Sequence, residues 1–165
     1  MRTEKIMQRN TSSHSMSAVR TKVWKLLLLI VWAVWWGGLC FYAIVVVPIG
    51  TELIGSAGQG FITQRVTDWH NVLTGVFLAC LIIDAFRKHS SVLWSAVIVL
   101  AIIEIGLVAW HWHLTRMMDF DNQSVTGNFY AQHAIYLWIT AAEWLLGIVI
   151  PIFLGPVKID QPVGH

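Results

Sequence analysis

Three histidines stand near the ends of apolar runs in this 165-residue chain. His70 lies near the start of one run, His111 near the end of the next, and His133 near the start of the last. If each run is a membrane-crossing helix, successive helices alternate in direction and all three imidazoles reach one level. Paired imidazoles at one depth of a helix bundle are the ligands of a haem b. The sequence therefore predicts His70, His111 and His133 as candidate cofactor ligands.

A second interpretation of the same region is a metal site. Two imidazoles and two thioethers fall within eight residues, at His111, His113, Met117 and Met118. Imidazole and thioether suit copper, whereas zinc would prefer histidine together with a carboxylate such as Asp68 or Asp119. On a regular helix His113 points about 200° away from His111, so it is expected to lie off the interior face.

Two carboxyl groups are predicted to lie deeper in the membrane. Glu104 precedes His111 by seven residues, which is about two turns or roughly 10 Å, and Glu143 follows His133 by ten residues, or about 15 Å. A charged group in hydrocarbon is costly, so both side chains are expected to point into the bundle. Two carboxylates at one depth would not ionise together, so one or both are expected to be protonated, or to share a proton or a cation.

Other polar residues extend these positions into interior stripes. Span four adds Gln132, Tyr136 and Thr140, and span two adds Asn71, Thr74 and Asp84. The stripes are typical of a wet or ligand-filled interior, or of polar residues that hydrogen-bond between helices. Small residues were expected to mark close helix contacts, at Gly37, Gly38, Gly75 and Gly106.

The elements that must position these residues are four long apolar runs. Hydrophobic residues make up 56% of the chain and charged residues 12%, with a mean hydropathy of +0.64, whereas a soluble domain has about 25% charged residues. Each run is long enough to cross a bilayer as a helix, and they are Val23–Val47, Val66–Phe86, Ser91–His113 and Phe129–Leu154. The predicted fold class is all-α: an integral membrane four-helix bundle.

The basic residues predict the orientation. Of the 11 Lys and Arg residues, only Arg65 and Arg116 fall on one side of the membrane, and the rest precede span one, join spans two and three, or follow span four. Basic segments stay in the cytoplasm, so both termini are expected inside. Three segments follow: a disordered basic cytoplasmic segment at 1–22, a transmembrane domain at 23–155 and a short cytoplasmic tail at 156–165.

Short motifs add a family resemblance. The chain contains Trp36-Gly37-Gly38-Leu39-Cys40-Phe41-Tyr42 with a following Pro48, then Asp68-Trp69-His70-Asn71 and Gln132-His133. This pattern resembles bacterial four-helix membrane proteins of the group that includes the copper-resistance CopD-like domain and the HemJ-type protoporphyrinogen oxidase. The resemblance implies a four-helix bundle in the bacterial inner membrane and favours haem or copper. The HemJ-type pattern has a histidine early in its first span, and this chain has none there.

Three hypotheses for function remain open from the sequence. They are a redox or haem-binding membrane protein, a metal-ion handling or transport protein, and a non-catalytic subunit or assembly factor of a larger membrane complex. A further alternative is that the histidines form an ordinary interfacial belt with Trp69, Trp110 and Trp112. Covalent c-type haem is excluded because no Cys-x-x-Cys-His occurs. No phosphate-cradling loop or concentrated basic patch points to nucleotides or nucleic acid.

Overall fold

A computed structural model of the chain describes residues 2–122 and 124–154, without the side chains of residues 2–15, 17 and 18. The protein is almost entirely helical, which confirms the all-α class. In chain order the elements are helix α1, a π-helical segment, helices α2 and α3, a two-stranded antiparallel hairpin and helix α4. Their bounds are α1 Arg2–Phe41, π-helix Tyr42–Val46, α2 Val47–Lys88, α3 Ser91–Thr115, β1 Met118–Asp119, β2 Ser124–Val125 and α4 Phe129–Leu154.

Within the described residues, three helical stretches are long and apolar enough to cross a membrane: Val19–Lys88, Ser91–Thr115 and Phe129–Leu154. Large apolar side chains are exposed along each of them, for example Leu26, Ile83, Ile105 and Leu145. Such a surface is unsuited to water and suited to lipid. The protein is therefore compatible with a multi-pass membrane protein.

The first stretch folds back on itself at Gly55. Its 70 residues would extend about 105 Å as one straight helix, but Gly55 has φ 77° and ψ 164°, a conformation that is essentially restricted to glycine. Hydrogen bonds tie the two halves together in antiparallel order. They join Trp24 to Asp84 at 3.1 Å, Trp35 to Thr74 at 2.8 Å and Tyr42 to Thr63 at 2.9 Å.

The segment between the predicted spans one and two is not a long loop. Residues 49–65 are helical on both sides of Gly55. A single glycine reverses the chain, and the side chain of Gln59, buried and bonded to Tyr42 at 3.0 Å, packs over the backbone of Gly50. The reversal at Gly55 therefore replaces a longer connecting loop.

Replacing Gly55 with alanine is expected to destabilise the protein by about 1–3 kcal/mol, because the Cβ atom strains the backbone at this φ and ψ. Thermal unfolding in detergent would measure the loss. Gly60→Ala is the matched control, since no described atom lies within 4 Å of a Cβ at that helical position. Equal stability of the two variants would contradict the role assigned to Gly55.

The apolar pattern predicts that the first span ends at Val47, directly before Pro48, but the helix continues through the proline. Pro48 lies at the start of α2, directly after the π-helical segment Tyr42–Val46. Proline has no N–H for the preceding turn and its ring crowds that turn. The wider π-helical turn, in which the Val47 N–H donates to the Tyr42 carbonyl, accommodates the proline without breaking the helix.

The predicted N-terminal segment and C-terminal tail can be compared with the structure only in part. Helix α1 begins at Arg2, well before Val23, although the side chains of residues 2–15 are outside the described part. The tail 156–165 also lies outside the described residues. The disordered N-terminal segment, the domain bounds and the cytoplasmic tail therefore stay predictions.

Helices α1 and α4 are joined by tryptophans. Trp32 Nε1 donates to the Gly147 carbonyl at 2.9 Å, and Trp36 Nε1 donates to the Trp144 carbonyl at 3.0 Å. The first bond has a specific cause: Pro151, four residues after Gly147, has no N–H, so the Gly147 carbonyl has no donor within its own helix. Trp32 replaces the missing donor from the neighbouring helix.

The glycines predicted to mark close helix contacts do not do so. Among the described atoms, none lies within 4 Å of a Cβ placed at Gly37, Gly38, Gly75 or Gly106. The close approach is instead at Gly147, where a Cβ would collide with the Trp36 indole. Tryptophan rings, rather than small residues alone, set the distance between α1 and α4, and the prediction from small residues was wrong.

One end of the helices is held by a charged cluster. Asp84 is buried, pairs with Lys88 at 2.7 Å and accepts a hydrogen bond from Trp24, and Lys88 also donates to the Leu154 carbonyl at the end of α4. The guanidinium of Arg87 lies over the Trp24 ring. Asp84 therefore belongs to this end cluster and not to the interior stripe predicted for span two.

The opposite end carries the β1–β2 hairpin. Both backbone N–H groups of Asp121 and Asn122 donate to Asp119 Oδ1, and the Asn122 amide donates to Oδ2 at 2.8 Å. The Asn122 side chain, followed by its backbone N–H, holds the pKa of Asp119 below its ordinary value. Asp119 thus shapes the turn, which accounts for this residue without the zinc alternative.

Candidate functional site

Side chains of three helix segments meet at Thr74 in the middle of the protein. The indole of Trp35, which is 0% exposed, donates to Thr74 Oγ1 at 2.8 Å, and Glu143 Oε1 lies 3.4 Å from the same hydroxyl. Trp35 also stacks on Phe77, with ring centroids 4.7 Å apart. Thr74 therefore connects α1, α2 and α4 at one level.

The hydroxyl of Thr74 has a single proton to give. Its backbone neighbour, the His70 carbonyl, lies 3.1 Å away, nearer than the Glu143 carboxyl. The hydroxyl can therefore donate to only one of these two oxygens at a time, the His70 carbonyl or the Glu143 carboxyl.

Both predicted carboxyls lie in the interior. Glu143 is 1% exposed and Glu104 is 8% exposed, and the two are close enough to interact electrostatically. Glu104 Oε2 has no hydrogen-bond partner among the described residues. The pair therefore has the buried, mutually interacting arrangement expected from depth along the two helices.

Two chambers lie above this pair. The inner chamber, of about 250 Å³, is bounded by α1, the π-helical segment, α2 and α4, and it includes His70, Tyr136 and Glu143 in its wall. The outer chamber, of about 360 Å³, is bounded by α2, α3 and α4 near the hairpin, and His111 and His133 line it. Thr67 and Tyr136 belong to the walls of both chambers.

The inner chamber ends at Glu143. Between this level and Asp84 the described interior is a cluster of apolar residues, which includes Leu81, Leu100 and Ile150, each 0% exposed. The described residues therefore place two chambers toward the hairpin end of the protein and a cluster of buried apolar residues toward the end that holds Asp84.

The three predicted histidines occupy different positions around these chambers. His111 is buried and its Nε2 lies 3.0 Å from Asp68 Oδ1. The His133 ring stacks on Phe129, and the rings of both His111 and His133 lie about 6.5 Å from that of Tyr136, at 6.5 and 6.4 Å. His70 lines the inner chamber, and its buried Nε2 has no hydrogen-bond partner among the described residues.

His70 and His133 line separate chambers, and Tyr136 belongs to the walls of both. Asp68 lies at hydrogen-bond distance from one nitrogen of His111, its Nε2. A haem b held by two of the three histidines stays a prediction.

Among residues with described side chains, no three of His, Cys, Asp and Glu come together as a metal site. The alternative set that includes the two methionines stays a prediction. His113 is exposed and its ring contacts Trp110, as expected from its divergence from His111. Met117 ends the α3 turn and Met118 lies in β1, where it pairs with Val125.

The structure identifies site residues that the sequence analysis missed. Trp35 and Thr67 were not singled out, and of the aromatic residues predicted around a cofactor only Trp69 and Tyr136 line a chamber. Trp112 and Trp138 are exposed on the outside of their helices. Trp35 had one available signal, since it faces the same way as Leu28 along an α-helix, seven residues apart.

The fold and the site together define an all-α protein with membrane-compatible helices and a buried carboxyl site. No family model, curated protein or solved structure matches this chain. The resemblance to CopD-like and HemJ-type proteins therefore stays a prediction.

Proposed function

We propose that this chain is a four-span protein of the bacterial cytoplasmic membrane, with both termini inside, that binds a small amphipathic ligand and exchanges a proton with it at Glu143. The observation that carries the proposal is the inner chamber, whose wall includes the carboxyl of Glu143, a residue that is 1% exposed, and which shares Thr67 and Tyr136 with the outer chamber. A ligand site with one buried titratable group at its end is typical of binding coupled to proton transfer.

The antiparallel fold at Gly55 supports four spans, because the stretch Val19–Lys88 then crosses the membrane twice. The charges support the orientation. Arg87 and Lys88 lie at the end that also holds Trp24 and Leu154, whereas Arg65 and Arg116 belong to the end with the hairpin. With basic residues inside, the chambers open toward the outer face.

The interior chemistry supports a binding role over a structural one. Polar residues that only join helices satisfy one another, as Gln59, Tyr42 and Thr63 do near the reversal. In the inner chamber, His70 Nε2 instead has no described partner and faces a cavity of about 250 Å³. A buried polar atom without a partner costs free energy, and a bound ligand recovers it.

The hypotheses from sequence stand differently against this geometry. A redox role is compatible with this proposal if the redox group is the ligand itself. Haem b on His70, His111 and His133, and copper on His111, His113, Met117 and Met118, stay hypotheses from the sequence. A role as subunit or assembly factor of a membrane complex is a separate hypothesis, which the exposed apolar helix faces permit.

Cysteine labelling tests the outward-facing cavity. In a Cys40→Ser, Cys80→Ala background, Thr67→Cys is expected to react with a charged, membrane-impermeant thiol reagent added from outside, because Thr67 borders both chambers. Ser56→Cys in the outer chamber is the positive control. Leu81→Cys, in the cluster of buried apolar residues, is expected to stay unreacted from either side.

Two outcomes would overturn the proposal. One is reaction of Thr67→Cys from the cytoplasmic side only, which would reverse the orientation. The other is no reaction at Thr67→Cys from either side while Ser56→Cys reacts, which would mean that water does not reach the level of Tyr136.

A further inference from the structure

Tyr136 on α4 is a residue that the two chambers share. It lines both of them, as Thr67 on α2 does, whereas of the two chambers Glu143 lines the inner one. The half-buried Tyr136 ring lies 6.5 Å from the ring of His111 and 6.4 Å from that of His133, and both histidines line the outer chamber. Tyr136 therefore borders both the outer chamber with its histidines and the chamber that contains the carboxyl.

The phenol hydroxyl of Tyr136 lies among polar groups of α2 and α4. It interacts with the side chains of Thr67 and Thr140, and it is close enough to Glu143 for an electrostatic interaction. Thr67 lines both chambers, whereas Thr140 lines the inner one together with Glu143. The hydroxyls of Thr67, Tyr136 and Thr140 thus form a series that begins at the outer chamber and ends in the chamber of the carboxyl.

We propose that the hydroxyl of Tyr136 relays protons between the outer chamber and Glu143. The inference rests on the proposed function and adds the residue through which the proton passes. A protonated water in the outer chamber gives a proton to the Tyr136 oxygen, while the hydroxyl gives its own proton to the Thr140 hydroxyl or to a water of the inner chamber. That group passes a proton to the Glu143 carboxylate. One O–H bond forms and one breaks at each relaying oxygen, so tyrosine is neutral before and after.

A hydroxyl group suits this step because it has one proton to donate and lone pairs that accept another. Much of the inner chamber wall is hydrocarbon, supplied by residues such as Leu39, Val66 and Leu73. A hydronium ion that entered these walls alone would lose its hydration at a high cost in free energy. A series of hydroxyls passes the proton on to Glu143 without requiring one ion to travel the whole distance.

Infrared spectroscopy of the full chain measures proton exchange at Glu143. A protonated carboxyl group has a C=O stretching band that moves to lower frequency when deuterium replaces its proton. Rapid mixing from light into heavy water, at a pH where the Glu143 band is present, gives the exchange rate. Nanodiscs of ether-linked lipids are used because these lipids carry no ester carbonyl. The band that Glu143→Gln removes belongs to Glu143, and Glu104→Gln identifies the band of the other buried carboxyl.

Tyr136→Phe keeps the ring and removes only the hydroxyl, and it is expected to slow the exchange at Glu143 at least about tenfold. Tyr130→Phe is the matched control, since Tyr130 is exposed and lines the outer chamber but not the inner one. Its exchange rate is expected to equal that of the unaltered protein. The direction of the change is informative, because loss of the Tyr136 hydroxyl widens the space around it. If water alone carried the proton, exchange in Tyr136→Phe would be equally fast or faster.

Thr67 gives a second test, which separates the chemistry of the hydroxyl from packing. Thr67→Val keeps the shape of the side chain but removes the hydroxyl that interacts with Tyr136, so slower exchange is expected. Thr67→Ser keeps the hydroxyl and removes a methyl group, and its exchange rate is expected to stay close to that of the unaltered protein. An effect of packing would instead be at least as large in the serine variant. Thermal unfolding checks that each variant is folded.

The outcomes separate this inference from the proposed function. Equal exchange rates in Tyr136→Phe and Tyr130→Phe, or faster exchange in Tyr136→Phe, overturn the relay. If Thr67→Cys still reacts from outside in that case, the outward-facing cavity stands and water alone carries the proton to Glu143. Failure of the labelling overturns the proposed function, whatever the exchange rates show. Absence of a Glu143 carboxyl band at every pH also overturns it, because Glu143 then takes up no proton.

Discussion

Replacing Thr74 with valine is expected to destabilise the protein by about 2–4 kcal/mol, because two buried groups lose their partner at once. The Trp35 indole N–H, which donates to Thr74 at 2.8 Å, and the Glu143 carboxyl, at 3.4 Å, would both face a methyl group. Valine keeps the shape of threonine, so packing changes little. Thermal unfolding in detergent, converted to free energy where unfolding is reversible, measures the loss.

Thr140→Val is the control for this change. Thr140 also contributes to the inner chamber, but its hydroxyl interacts with the carbonyl and the side chain of Tyr136, both within its own helix, so it joins no second helix. Its effect is expected to stay within about 1 kcal/mol. If the two valine variants lose equal stability, Thr74 is not the point that joins the three helix segments.

The second large effect is expected at the contact between α1 and α4. Trp32→Phe removes the only donor described for the Gly147 carbonyl, since Pro151 offers none, and should cost about 1–3 kcal/mol. In a Pro151→Ala background the residue at 151 supplies an N–H to that carbonyl. The cost of Trp32→Phe is then expected to fall, so that a double-mutant cycle gives a coupling of about 1 kcal/mol or more.

Trp36→Phe gives the matched comparison. Trp36 donates to the Trp144 carbonyl, which keeps the N–H of Ile148 as its donor within a regular helix. Its cost is expected to be smaller and independent of residue 151. An additive cycle for Trp32 and Pro151 would contradict the assignment of Trp32 as the replacement donor.

The sequence was sufficient for the class of fold and for the buried carboxyls. Long apolar runs require helices, and the positions of Glu104 and Glu143 along two of them place both side chains in the interior, where the structure has them. The side chain of His113 is exposed whereas that of His111 is buried, as expected for two positions that point in different directions on a helix. These results depend only on residue spacing along one helix.

What the sequence could not supply depends on contacts between helices. His111 binds Asp68, and His70 and His133 line different chambers, because the rotation of each helix about its axis is set by packing partners such as Trp35 and Trp36. The glycine prediction was wrong for the same reason. The sequence did contain one indication of a contact between helices. Pro151 lies four residues after Gly147, so the Gly147 carbonyl needs a hydrogen-bond donor from outside its own helix.

The cluster of buried apolar residues has an electrical consequence. In the proposed membrane orientation, and with water filling the chambers down to Glu143, the membrane voltage would fall almost entirely across the apolar core between Glu143 and Asp84. A proton at Glu143 would then equilibrate with the outer solution and scarcely sense the voltage. A charge that moved on to Asp84 would instead cross nearly the whole potential, about 2.3 kcal/mol per 100 mV. Nearly all of the electric field of the membrane would thus be concentrated in this apolar layer.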